Sequence, residues 1–288
     1  MPPKTLLCVL PLTALLSWGG DAAAACPSHE WINALLRFRE ALQPVRGLRA
    51  DLTLRDALCG QRRLVEKLES RANRIVGYKA GLTSKAVQAR FGVSSPVRGT
   101  LLSGMLFEDG ATVPAKFGAR PVFEPDLLVV VKDEAIHRAR THLEVLHALS
   151  AVVPFIELPD LLIAEGEKMT GPHIVLINVG ARHGVKGKGV PVAATTGFAD
   201  ALATMRVTVT DQDGRELASG RGAAILGHPL NAVQWLAQDL ERAGIRLKPG
   251  DILSLGSFTA PLPPKPGLDA TVRYEGLPGN PAVTVRFQ

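Results

Sequence analysis

The chain reads as an α+β protein, and three observations lead there. Helical hydrophobic spacing is concentrated in a short stretch before residue 75. From Ile75 onward the texture changes to short β-rich runs broken by Gly and Pro. One well-bounded helix interrupts those runs late in the chain. At 288 residues, 46% hydrophobic and 21% charged, there is material for a sizeable core in one domain or one with an appendage, and nothing points to disorder.

Residues 1–25 read as a secretory signal peptide. Lys4 precedes the apolar residues 5–18, and Ala22, Ala23, Ala24 and Ala25 supply small residues for cleavage. Gly19, Gly20 and Asp21 interrupt the run before the roughly 20 apolar residues that a span needs. An uncleaved N-terminal anchor is the alternative. A lipoprotein signal through Cys26 fits less well, because Ala23 stands where such signals usually carry Leu. The expectation is a periplasmic or secreted protein with no stable membrane insertion after signal removal. Cleavage near Ala25 removes Cys8 and leaves Cys26 and Cys59, an even pair that is expected to form a disulfide in an oxidising compartment. In the cytosol the same pair would stay reduced.

Trp31, Leu35, Phe38 and Leu42 fall at helical spacing with Ser28 placed to cap, and Pro44 and Gly47 close that segment. Thr53 followed by Asp56 resembles a capping box. Leu54, Leu58, Leu64, Val65 and Leu68 continue a second amphipathic helix. These helices define a small N-terminal region, 26–74, which a Cys26 to Cys59 bond would clip together. Strands are predicted at 100–107, 121–131, 151–157, 173–180, 203–210, 252–256, 270–275 and 282–287. Helices are predicted near 84–91, 140–149 and 230–243, the last starting at Pro229 and stopping at Gly244.

The formal charge is +6, and residues 26–74 carry ten Lys and Arg against six Asp and Glu. That excess reads first as a solvated helix face, and it could also steer an anionic substrate. Aromatic content is only 5% and no nucleic-acid motif is present, so DNA or RNA binding is not expected.

The most chemical feature is an acid pair. Glu124 and Asp126 open the run Val122-Phe123-Glu124-Pro125-Asp126-Leu127-Leu128-Val129-Val130-Val131, and on a strand residues i and i+2 share a face. Neighbouring carboxylates need a proton or a cation between them. A third acid, Glu157, ends the run Val152-Val153-Pro154-Phe155-Ile156. Three oxygen donors on two strands point to a hard divalent ion, Mg2+ or Mn2+; the alternative is pairing with Arg or Lys. Pro125 lacks a backbone donor and suits an edge strand or a bulge.

Other motifs fail. Around Gly180, Gly184, Gly187 and Gly189 a phosphate loop would need Ser or Thr after Lys188 and Gly in place of Arg182. His142 and His147 are five apart, one more than a helical zinc pair requires. No Gly-x-Ser-x-Gly elbow occurs.

One segment reads Gly77-Tyr78-Lys79-Ala80-Gly81-Leu82-Thr83-Ser84, followed by Val87-Gln88 and Phe91-Gly92-Val93. Later come Trp235-Leu236-Ala237, Gly244, Leu247-Lys248-Pro249-Gly250-Asp251-Ile252-Leu253 and Gly256-Ser257-Phe258-Thr259. Together, in the same order over roughly residues 50–288, they resemble the 2-keto-4-pentenoate hydratase branch of the fumarylacetoacetate hydrolase superfamily. The resemblance implies a mixed β-roll catalytic domain over 75–288 behind the helical region. It implies metal ligands at Glu124, Asp126 and Glu157, with Asp126 replacing the usual Glu, and a pocket lysine at Lys79 that can stabilise a developing enolate. Asn178 and Ser257 fall in segments that imply substrate contacts. It also implies a small anionic 2-oxo acid substrate and a homo-oligomer.

Departures accompany it. Where the hydratases carry an Asp after Pro96, this chain has Val97, followed by Arg98, which is either a fork for a substrate carboxylate or an exposed turn residue. The stretch that reads close to Ala-Asp-Asn-Ala-Ser in the hydratases is Ile177-Asn178-Val179-Gly180-Ala181, with the Asn retained. The expected activity is metal-dependent addition of water to small 2-hydroxy-dienoic (2-oxo-enoic) acids. The metal would act as Lewis acid and template, and Glu157 or a metal-bound water would carry the proton. The alternatives are C–C hydrolysis or decarboxylation of a related 2-oxo acid, or an exported binding protein that has lost turnover.

Overall fold

The computed structural model describes residues 26–288, so the signal-peptide reading lies outside the described residues. Helices α1 (His29–Glu40) and α2 (Leu54–Leu68) come first, with Ser28 and Thr53 accepting the first free backbone N–H groups. Helices α3 (Lys85–Arg90), α4 (His142–His147), α5 (Gly171–Leu176), α6 (Thr196–Thr204) and α7 (Pro229–Arg242) are spread among the strands. The strands are β1 (Ile75–Gly81), β2 (Val97–Leu102), β3 (Leu106–Glu108), β4 (Thr112–Val113), β5 (Glu124–Val131), β6 (Leu149–Leu158), β7 (His183–Lys186), β8 (Val190–Pro191), β9 (Arg206–Thr210), β10 (Glu216–Arg221), β11 (Ile252–Ser254), β12 (Asp269–Glu275) and β13 (Ala282–Phe287).

They form two mixed sheets. One runs β2-β1-β11-β5-β6-β7-β3 with β8 beside β6, and the other runs β10-β9-β12-β13-β4. The main core fills the space between them and around α7, with Leu127, Val129, Ile156, Val272, Val285 and Leu236 fully buried. A second apolar cluster joins Ile32, Leu35, Ala57 and Leu64 of α1 and α2 to Val97, Leu176 and Val179. The N-terminal helices therefore pack on the large sheet through α5. Cys26 and Cys59 are joined by a disulfide, Cα to Cα 5.4 Å, which clips the segment before α1 to α2. No described helix is long and apolar enough to cross a membrane.

The structure departs from the sequence reading at several places. Residues 173–180 are not a strand. They hold α5, started by Thr170 and Pro172, and then a turn over Asn178–Gly180. The run Ile174-Val175-Leu176-Ile177 is buried throughout, so no polar face marks the helical period and the β-branched residues read as strand. The expected strand at 100–107 is broken by a short helical turn at Ser103–Met105, and the one at 203–210 begins only after α6. Strands β1, β4, β7, β8 and β10 fall outside the predicted strands. β1 contains Gly77, where an added Cβ would overlap the Ile252 carbonyl of its parallel neighbour, so tight packing rather than propensity sets that strand.

Pro125 lies in a central strand, between β11 and β6, rather than at an edge. Its carbonyl accepts from Phe258 N at 3.1 Å, and its missing N–H points the same way, beyond Ser254 where β11 has ended. No ladder bond is lost.

Candidate active site

The register of the large sheet puts the acids together. Glu124 lies directly opposite Glu157 across β5 and β6, and Asp126 opposite Phe155. On the other side Leu128 pairs with Ser254, Ser254 with Lys79, and Lys79 with Gly99. Cross-strand partners share a face, so Glu124, Asp126, Glu157, Ser254 and Lys79 project from one side of the sheet, the side turned away from the main core.

Lys79 is 3% exposed and Glu157 2%. The Lys79 ammonium forms a short ion pair with Glu157 and donates to the Val179 carbonyl at 2.9 Å. Asp126 is fully buried. Its Oδ2 accepts from Ser254 Oγ at 2.5 Å, and its Oδ1 from the backbone N–H groups of Leu127, Leu255 and Gly256 at 2.5, 3.1 and 2.9 Å. Below it, the Tyr274 hydroxyl from the smaller sheet donates to the Asp126 carbonyl and accepts from Phe155 N at 3.1 Å, pinning β5 to β6 beneath the acid pair.

Charge governs the site. Burial and then the Glu157 charge push the Glu124 carboxyl up to about 8, against the pull of Lys79. Burial and then Glu157 push Asp126 up to about 7, although Ser254 and Leu127 donate to it. Four donors converge on Asp126, an arrangement the ionised carboxylate satisfies, yet burial works against ionisation. With all three acids ionised, one ammonium leaves an excess of two negative charges. That excess and the all-oxygen donor set fit a divalent cation. Among the described residues, no three His, Cys, Asp or Glu side chains close round an ion as they stand. Glu157 is turned to Lys79 and Asp126 to Ser254, while Glu124 is hydrogen-bonded to none of its charged neighbours.

The remaining sequence-predicted residues are placed elsewhere. Arg98 pairs across the sheet with Ala80, so it projects from the face opposite Lys79. There its guanidinium forms an ion pair with Asp239 of α7, which makes it neither a pocket fork nor an exposed turn residue. Asn178 lies above Lys79, but its amide is committed to Thr100, accepting from its N–H at 2.8 Å and donating to its carbonyl at 2.9 Å. Ser257 Oγ is held by Thr259, donating to its carbonyl at 2.8 Å. Ser254, Tyr274 and the Val179 carbonyl were not picked out from sequence. Ser254 carried a signal, a polar residue between Leu253 and Leu255 in a buried strand; a backbone carbonyl carries none. A cavity of about 390 Å³ is lined by none of these residues and opens beside Thr195, Phe198, Leu277 and Asn280.

A lysine beside three carboxylates on one face of a curled mixed sheet defines a class of site suited to reactions of acidic, enolisable substrates. No protein-family model matches the chain. It is 33% identical over 229 residues to the 4-oxalocrotonate decarboxylase of Pseudomonas sp. strain CF600, covering 79% of this chain and 84% of that protein. It is 32% identical over 226 residues to the 2-keto-4-pentenoate hydratase of Paraburkholderia xenovorans strain LB400, covering 78% and 82%. The solved structure of 4-oxalocrotonate decarboxylase from Pseudomonas putida G7, complexed with magnesium and adipate, matches with a TM-score of 0.76 at 29% identity, over 91% of this chain and 98% of that one. The chain belongs to the 2-keto-4-pentenoate hydratase branch of the fumarylacetoacetate hydrolase superfamily, and its fold is of that type.

Proposed function

We propose that this chain is a divalent-metal-dependent hydratase that adds water to small 2-hydroxy-dienoic (2-oxo-enoic) acids, with Mg2+ or Mn2+ as its ion. The observation that carries the reading is the cross-strand pair Glu124 and Glu157, with Asp126 on the same face and, among the described residues, only Lys79 to offset their charge. Glu124, Asp126 and Glu157 would hold the ion, which when bound supplies Lewis acidity and a template for the substrate's anionic oxygens.

The protein's own groups do the rest. Ser254 and the Leu255 and Gly256 amides fix the orientation of Asp126. The Lys79 ammonium, held away from water, steadies the negative charge that develops on the substrate's 2-oxygen. Val97 stands where the family resemblance implies an acid, so Glu157, in contact with that ammonium, is the carboxyl assigned to carry the proton.

A second reading is decarboxylation of a related 2-oxo acid. It is favoured by the 4-oxalocrotonate decarboxylases among the similar proteins. Both reactions stabilise the same kind of charge, so substrate decides between them. The test incubates protein with Mg2+ or Mn2+ and either 2-hydroxypenta-2,4-dienoate, following loss of dienol absorbance, or 4-oxalocrotonate, following release of carbon dioxide. Hydration of the first, absent in Glu124→Ala, supports the main reading. Carbon dioxide from the second alone supports the other, and turnover of neither removes both.

The signal-like residues 1–25 and the Cys26 and Cys59 pair support an exported, oxidised protein. Intact mass of protein recovered from its native compartment should lack about the first 25 residues, in keeping with a cleavable signal, and should show no free thiol. A full-length chain with reduced cysteines would reverse this. A homo-oligomer, expected from the family, is checked by light scattering.

A further inference from the structure

Residues 178–180 carry three consecutive left-handed backbone conformations: Asn178 at φ 56°, Val179 at φ 54° and Gly180 at φ 69°. Asn and Gly tolerate that region, but a β-branched residue there is strained. Strain of this kind persists only where the surroundings impose it, and it concentrates at functional sites.

The surroundings are identifiable. β2 is the edge of the large sheet, and the side-chain amide of Asn178 takes both the N–H and the carbonyl of Thr100, as a neighbouring strand would. Gln61 of α2 donates to the Arg98 carbonyl along the same edge and to Val175 in α5, tying the helix that leads into the turn. Gly99 permits the approach: a Cβ there would lie 2.9 Å from both the Asn178 carbonyl and the Lys79 Cγ. So clamped, the turn aims the Val179 carbonyl at the Lys79 ammonium, 2.9 Å away.

An ammonium has three N–H donors. Glu157 takes one and Val179 a second, which fixes the direction of the third. We infer that the Asn178–Gly180 turn is a positioning element that sets the direction of Lys79's remaining N–H towards the substrate, with Asn178 as its anchor rather than a substrate contact. This rests on the reading of Lys79 given above.

Asn178→Ala removes the anchor. Two measurements are compared with Val272→Ala, a core truncation in the smaller sheet chosen to match the loss of thermal stability. The first is steady-state kinetics on 2-hydroxypenta-2,4-dienoate. Misplacing a catalytic group by about 1 Å costs about 100-fold, so kcat is expected to fall about 10- to 100-fold while KM changes by less than about two-fold. The second is acetylation of Lys79 by acetic anhydride, mapped by mass spectrometry without substrate or metal. Lys79 is expected to be protected in the wild type and modified several-fold faster in Asn178→Ala, but not in Val272→Ala. If Asn178→Ala does not fold, Asn178→Asp, which keeps the acceptor for Thr100 N–H, is expected to move both measurements in the same direction. Wild-type kcat and wild-type protection in the Asn178 variants, or equal losses in Val272→Ala, would overturn the inference. A wild type without turnover whose Lys79 is unmasked only by the Asn178 variants would sink the functional reading and leave the positioning of Lys79 standing.

Discussion

At the scale of single residues, the site is a problem of buried charge. Lys79 and Glu157 are desolvated together, and breaking such a pair from one side leaves an unpaired charge that typically costs about 3–5 kcal/mol. Lys79→Met should therefore lose stability of about that size in urea unfolding, and turnover should fall about 100- to 1,000-fold, as when one charge-stabilising donor is removed. Glu124 and Asp126 set the pH behaviour. Their carboxyls stand near 8 and 7 in the folded chain against ordinary values of 4.5 and 3.8, so the metal-free native state holds protons that the unfolded chain has released. Stability contributed this way is full at low pH and is lost as pH rises through the folded values. Metal-free protein should thus be less stable to urea at pH 8.5 than at pH 6, and added Mg2+ should remove most of that difference. The acid pair was legible because i, i+2 spacing is a property of any strand, and Glu157 because it ends an apolar run. What Asn178, Ser257 and Arg98 touch was not legible, since their partners Thr100, Thr259 and Asp239 are fixed by tertiary packing.

At the scale of elements, the helices with caps and amphipathic faces were legible: α1, α2 and α7 carry Ser28, Thr53 and Pro229 at their starts. α5 was not, because burial on all sides removes the polar stripe that reveals a helical period. Its Thr170 and Pro172 start signal was present but outweighed by β-branched residues. α5 matters because it leads directly into the Asn178 turn and is held by α2 through Gln61. The disulfide closes a 33-residue separation between the segment before α1 and α2 itself. Loop-closure entropy gives such a bond about 3–4 kcal/mol, so reduction with dithiothreitol should lower the melting temperature by several degrees. An unchanged melting temperature would mean that packing alone holds α1 and α2.

At the scale of the whole molecule, two sheets share one core, and the chemistry sits on the outer face of the larger one, where α5 and its turn cover the lysine. The α+β class followed from helical spacing before Ile75 and β-rich runs after it. The full strand order of the larger sheet did not, because β1 and β7 are glycine-containing strands set by close backbone approach at Gly77 and by Gly184, where an added Cβ would meet the Phe155 ring. The central claim is that three carboxylates on that face take up one divalent cation beside Lys79. Calorimetric titration of metal-stripped protein with Mn2+ tests it most directly. The account predicts saturable binding of a single ion with release of protons, abolished in Glu124→Ala. Absence of binding, or equal binding by that variant, would contradict it.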